Sequence, residues 1–163
     1  MSGRVYSISS AGITVANQLV TLVFINPGTT VALKIRRMWI GQSANATSAQ
    51  QRVQVYRQPT GFPTLTSFTP TKLTQNDPAS AITGNTNGAA GTCGINASAE
   101  GNGSKAILFE DAFNVLNGWL WVPTPGEEII CAPSASSGFG FCFPVAPATL
   151  TNWAFGLNFE EIG

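Results

Sequence analysis

Eight carboxylates, eight basic side chains and no histidine set the acid–base chemistry open to this chain of 163 residues. Only two of the acids are aspartates, Asp77 and Asp111, and four of the glutamates form the adjacent pairs Glu127-Glu128 and Glu160-Glu161. Neighbours in a strand point to opposite faces, so neither pair can share a site by itself. A cross-strand pair such as Glu110 with Glu128 is what remains for glycoside hydrolysis, which needs carboxyls about 5–9 Å apart. Serines are plentiful, but none has a histidine to activate it or a lysine in a serine–lysine motif. The chain is therefore expected not to be an enzyme, with no catalytic residue.

Three cysteines, Cys93, Cys131 and Cys142, make an odd count that argues against a closed disulfide framework. If residues 129–132 and 139–143 form a hairpin, Cys131 and Cys142 lie opposite each other and a cross-strand disulfide is geometrically open. Folding in a reducing cytosol favours two small buried thiols instead. Cys93 has no histidine or second cysteine at ligand spacing, so neither a zinc site nor any other metal or cofactor is expected.

Trp119 and Trp121 share one face of a strand at i, i+2, the spacing of a sugar-stacking platform if that face is exposed. The same spacing serves a face that packs inward, and all four tryptophans can be core. Zero net charge conceals a division. Residues 1–81 carry seven basic side chains (Arg4, Lys34, Arg36, Arg37, Arg52, Arg57, Lys72) and one acid, a net of 7 − 1 = +6. Residues 82–163 carry Lys105 and seven acids, a net of 1 − 7 = −6. Either antiparallel strands from the two halves neutralise each other, or like subunits meet basic edge to acidic edge. Positive charge this dilute makes no phosphate track, so no nucleic-acid partner is expected.

The elements that must position these residues follow a period of two. Val5–Ser9 alternates, and in residues 20–25 two apolar series interleave, which predicts a strand covered on both faces. Residues 31–40 predict a regular strand with Val31, Leu33, Ile35, Arg37 and Trp39 on one face. Four prolines between Pro59 and Pro78 leave room only for short or edge strands. Residues 83–104, small and glycine-rich, read as one long flexible loop, and Glu110–Leu116 is the one place for a short helix. Eight to ten short strands separated by glycine- and proline-rich turns predict an all-β antiparallel sandwich, jelly-roll-like in its connections. Residues 1–10 form an N-terminal strand or arm, and residues 11–163 a single domain.

No run of apolar residues is long enough for a bilayer, and the first residues lack the apolar block of a signal peptide, so cytoplasmic synthesis and no membrane partner are expected. Three glycosylation sequons begin at Asn45, Asn96 and Asn102; without a signal peptide they are expected to stay unmodified. Charged residues are 10% of the chain, against about 25% in average domains. Such a neutral polar surface suits a molecule covered by partners. The strand Val5–Ser9 lacks a local hairpin partner and is a natural device for reaching a neighbouring subunit.

Several short pieces resemble a known group: Arg36-Arg37 in a strand, Pro70-Thr71-Lys72-Leu73, Asn76-Asp77-Pro78-Ala79, Gly118-Trp119-Leu120-Trp121-Val122-Pro123, and the terminal Phe159-Glu160-Glu161-Ile162-Gly163. Together, across about 130 residues, they resemble small virion surface proteins of tailed bacteriophages, of the head decoration or cement type. The resemblance implies a jelly-roll β domain that sits on the capsid as a homotrimer, binds the major capsid protein and stabilises the shell. The resemblance transfers no functional residues; from the chain itself, Val5, Tyr6 and Ile8 are expected to touch the capsid, and Arg36, Arg37, Glu160 and Glu161 to pin the subunit interface. Two alternatives carry over: a tail or fibre component, and a carbohydrate-binding module using Trp119 and Trp121.

Overall fold

The alternating segments all become strands. The computed structural model describes residues 3–44 and 47–163; Met1 and Ser2, and Asn45-Ala46 of the first sequon, lie outside the described residues. In chain order the strands are β1 (Arg4–Ile13), β2 (Val20–Asn26), β3 (Ala32–Gln42), β4 (Gln50–Gln58), β5 (Thr64–Ser67), β6 (Thr71–Lys72) and β7 (Thr83–Gly84). They continue with β8 (Thr92–Ala99), β9 (Ala106–Asn114), β10 (Trp119–Trp121), β11 (Ile130–Cys131), β12 (Gly138–Phe143) and β13 (Trp153–Ile162). No helix occurs among the described residues.

Two antiparallel sheets form a sandwich. The first runs β10-β3-β13-β1-β6, with β11 also on β3; the second runs β5-β8-β2-β12-β4-β9, with β7 parallel to β8. Their inner faces meet in one apolar core that includes Tyr6, Ile8, Leu22, Ile35, Phe141 and Phe155. Each such side chain contributes about 1.5–3 kcal/mol on leaving water. Prolines confine β5 and β6 to four and two residues at the sheet edges, as the proline spacing requires.

Every residue of β2 is buried. Its inner face joins the main core, while Phe24 joins a second cluster with Tyr56, Leu65, Ala97, Cys142 and Phe62 on the outer face of the second sheet. Residues 60–62 and 100–105 cover that cluster, backbone against backbone. A β-carbon on Gly101 would strike Gly61 and Phe62, and one on Gly103 would strike Thr60.

Four sequence expectations are corrected. First, β3 does not alternate regularly. Asn158 pairs with Arg37 and Phe159 with Ile35, so Arg36 is an extra residue, a β-bulge. Leu33 and Ile35 face the core before it, and Met38 and Ile40 after it, which turns Arg37 and Trp39 outward. Second, residues 83–104 are not one loop: they hold β7 and β8, and β8 pairs with β2 and β5. A side chain at Gly94 would strike Leu65, Thr66 and Asn85, so close packing requires small residues here and hides the strand signal. Third, residues 110–114 continue β9 instead of turning helical, because β4 pairs with them throughout. Fourth, β11 and β12 form no hairpin. β11 joins β3 and β12 joins β2 and β4, in different sheets, so Cys131 and Cys142 are not opposed.

The N-terminal segment is no free arm. Residues Arg4 to Ser10 pair with β13, which returns from the far end of the chain.

Candidate functional site

Both sheets end on the same side of the sandwich, the second at β9 and the first at β10 and β11, which lie end to end along β3. Six of the nine exposed large apolar side chains among the described residues gather there: Ile107, Leu108, Leu116, Leu120, Val122 and Ile130. The cause is local. A bulge at Leu108, between the pairs Val55–Phe109 and Tyr56–Ile107, shifts the phase of β9, so consecutive apolar residues cannot all turn inward.

Between the two edges lies a cleft of about 440 Å³. Phe109 and Trp121 form its floor, their rings stacked at 5.8 Å, and Leu108 and Val122 line its walls. Polar groups stand at one end. Arg57 donates to the Ile130 carbonyl at 3.0 Å, which ties β4 to β11 across the sandwich. Lys34 pairs with Glu128 at 3.1 Å. The hydrogen bond from the Lys34 ammonium holds the Glu128 carboxyl below its ordinary value. Glu127 accepts from the Thr124 hydroxyl at 2.6 Å and has no cation within ion-pair distance among the described residues.

Trp119 and Trp121 do share a face, and it turns toward the other sheet. Trp119 is buried against Phe141, with its indole N–H donating to Asp111 at 3.0 Å. Trp121 alone is half-buried at the cleft, so the pair makes no tandem stacking platform.

The residues expected at the capsid and between subunits are used inside the chain. Tyr6 and Ile8 have no exposed surface, because pairing of β1 with β13 turns them into the core; only Val5 keeps partial exposure. Glu160 is buried, forms an ion pair with Arg36 and accepts from the Gly3 amide at 2.6 Å. Glu161 is equally buried and accepts from the Ser80 hydroxyl at 2.5 Å and the Ala81 amide at 2.8 Å. Arg37 lies over the Trp39 ring, 4.8 Å from its centroid. Of these four, only the two arginines stay exposed. The charge division serves the fold directly: three of the four ion pairs among the described residues, Lys34–Glu128, Arg36–Glu160 and Arg52–Glu110, join the basic half to the acidic half. With Glu110 held by Arg52 and Gln54, and Glu128 by Lys34, both acids of the glycosidase-type pair are already engaged.

Sequence reading missed a second polar cluster. Thr21 on β2 gives its amide and its hydroxyl to the two carboxylate oxygens of Glu100, each at 2.6 Å. The Tyr56 hydroxyl lies 2.6 Å from the same threonine oxygen, Lys105 pairs with Glu100, and the Lys105 ammonium stands 4.5 Å above the Tyr56 ring. Burial raises the Tyr56 phenol well above its ordinary value, so it stays neutral. Every group here has a partner, which makes the cluster a brace for the outer cover of β2. Its members are up to 84 residues apart, and no local pattern signals them.

The three thiols are free and buried, each pushed up to about 12 by desolvation. No group of three or more potential metal-ligating His, Cys, Asp or Glu residues occurs among the described residues. Comparison with protein-family models, curated proteins and solved structures finds no match to this chain.

Proposed function

We propose that the chain is a non-enzymatic virion protein that binds the outer surface of a phage capsid as a homotrimer and stabilises the shell. The observation that carries an assembly role is the gathering of six exposed apolar side chains on the side where both sheets end. A solitary soluble domain rarely leaves so much apolar surface beside open strand edges, and a partner that covers it removes both liabilities. The assignment to a phage capsid rests on the sequence resemblance.

The strand order supports the jelly-roll form of the sandwich. Set aside β5–β8 as an insertion and count β10 with β11 as one strand; eight core strands then remain. One sheet takes them in the order first, eighth, third, sixth (β1-β13-β3-β10), and the other second, seventh, fourth, fifth (β2-β12-β4-β9). Two interlocked Greek keys generate this order. Virion proteins of this shape clamp several capsid subunits, so individually weak contacts add through effective concentration.

The test is addition of purified protein to capsids that lack it. Co-sedimentation with the capsids and a rise in their disruption temperature are expected, with a trimer seen by sedimentation velocity. Failure to bind capsids, with binding to tail structures instead, would move the protein to the tail or fibre alternative.

A further inference from the structure

The cleft side has a counterpart on the opposite edge of the first sheet. There β6 pairs with β1, and the Leu73 amide donates to the Val5 carbonyl at 3.1 Å, fixing the segment to the edge. Leu73 projects with 57% exposure, the third highest among the large apolar side chains of the described residues. Beside it Lys72 is exposed, with its one hydrogen bond, to the Gln75 carbonyl, at 3.5 Å and no carboxylate within ion-pair distance among the described residues. One edge thus carries an apolar knob with a spare cation, and the other an apolar cleft with the spare anion Glu127.

We propose that the occupant of the cleft is a second copy of this chain: Leu73 of one subunit seats against Trp121 and Leu108 of the next, and Lys72 pairs with Glu127. This rests on the assembly reading above and names its contact. The two features cannot meet within one molecule. They are separated by the four strand spacings of β10-β3-β13-β1-β6, roughly 19 Å at about 4.8 Å each. Meeting between molecules, unlike surfaces make a head-to-tail contact, which closes into a ring when the rotation between subunits divides a full turn. The self-complementary alternative is disfavoured by charge. Antiparallel pairing of β9 with a second β9 over its full length sets Glu110 opposite Glu110.

Sedimentation equilibrium on the full chain tests this with Leu73→Glu, Lys72→Glu, Glu127→Lys and the double swap Lys72→Glu/Glu127→Lys. Circular dichroism and thermal melting verify that each variant folds. Each single charge reversal is expected to weaken association about tenfold or more, and the double swap to restore it to within about threefold. Mixing Leu73→Glu with Val122→Glu leaves one intact contact per pair, so the mixture should stop at dimers. A wild-type oligomer unchanged by Leu73→Glu and Glu127→Lys would overturn this contact while leaving the assembly reading in place. A wild type that stays monomeric yet still binds capsids would overturn both the contact and the trimer. A monomer that ignores capsids would sink the assembly reading itself.

Discussion

Gly156 on β13 lies directly beneath the indole of Trp39 on β3, so closely that no β-carbon fits between them. On the other side of the same position stands the Ile8 carbonyl of β1, 2.5 Å from where a β-carbon would be. The missing side chain lets a large aromatic lie flat across the middle of the first sheet, with Arg37 stacked above it. Gly156→Ala should therefore destabilise the fold by about 1–3 kcal/mol through overpacking. The check is urea denaturation of both proteins. In the double variant Gly156→Ala/Trp39→Ala the part of the loss due to the indole should be recovered.

The brace around Thr21 predicts unequal effects from two substitutions. Glu100→Ala leaves the Lys105 ammonium without its anion in a site where both side chains are at most about one-fifth exposed. A loss of about 3 kcal/mol is expected. Tyr56→Phe removes one hydroxyl, while Thr21 keeps its bonds to Glu100, and should cost about 1 kcal/mol. Equal losses in chemical denaturation would contradict the arrangement.

Alkaline pH should destabilise the fold. The three thiols are raised to about 12 and the Tyr56 phenol is raised well above its ordinary value, all chiefly by desolvation. Groups with a raised folded-state pKa contribute stability that is complete below their unfolded values and is lost as pH rises toward the folded ones. Stability should therefore fall progressively from about pH 9 toward pH 12, read as a drop in melting temperature across a pH series. Acid acts in the opposite sense through Glu128, whose lowered value gives stability present above the usual carboxylate range and lost below it.

Thiol chemistry offers an independent check on the fold. With Cys131 and Cys142 in different sheets and all three thiols buried, no disulfide should form on mild oxidation. A thiol-reactive dye should label the native protein only on the timescale of unfolding, and label three cysteines at once in denaturant. Rapid labelling of one thiol in native buffer would place that residue outside the core.

The sandwich and the two-faced burial of β2 were legible because continuous and alternating apolar runs depend on local sequence alone. What escaped depended on distant chain segments. β8 was hidden because close neighbours on β5 and beside β7 leave room only for glycine at 94 and small residues around it. Tyr6 and Ile8 looked available to a neighbour because their partner strand, β13, lies almost the whole chain away. Glu160 and Glu161 looked like surface charges until Arg36, Gly3, Ser80 and Ala81 closed around them. The cleft left a trace, the run Ile107-Leu108-Phe109, three large apolar residues in a row where an edge strand should alternate. Without the bulge that run carries no message about which residue turns outward.

Bulges give a strand something like a reading frame of two. Arg36 is the one inserted letter in β3: everything before it is read in one phase, everything after it in the other. A single deletion at Arg36 would restore regular alternation and leave Met38 and Ile40 in the core, because Arg37 would follow Ile35 in the register it already holds opposite Asn158. Homologous chains with and without this one residue would share the same interior, and a comparison that allows no gap in the strand would undercount their kinship.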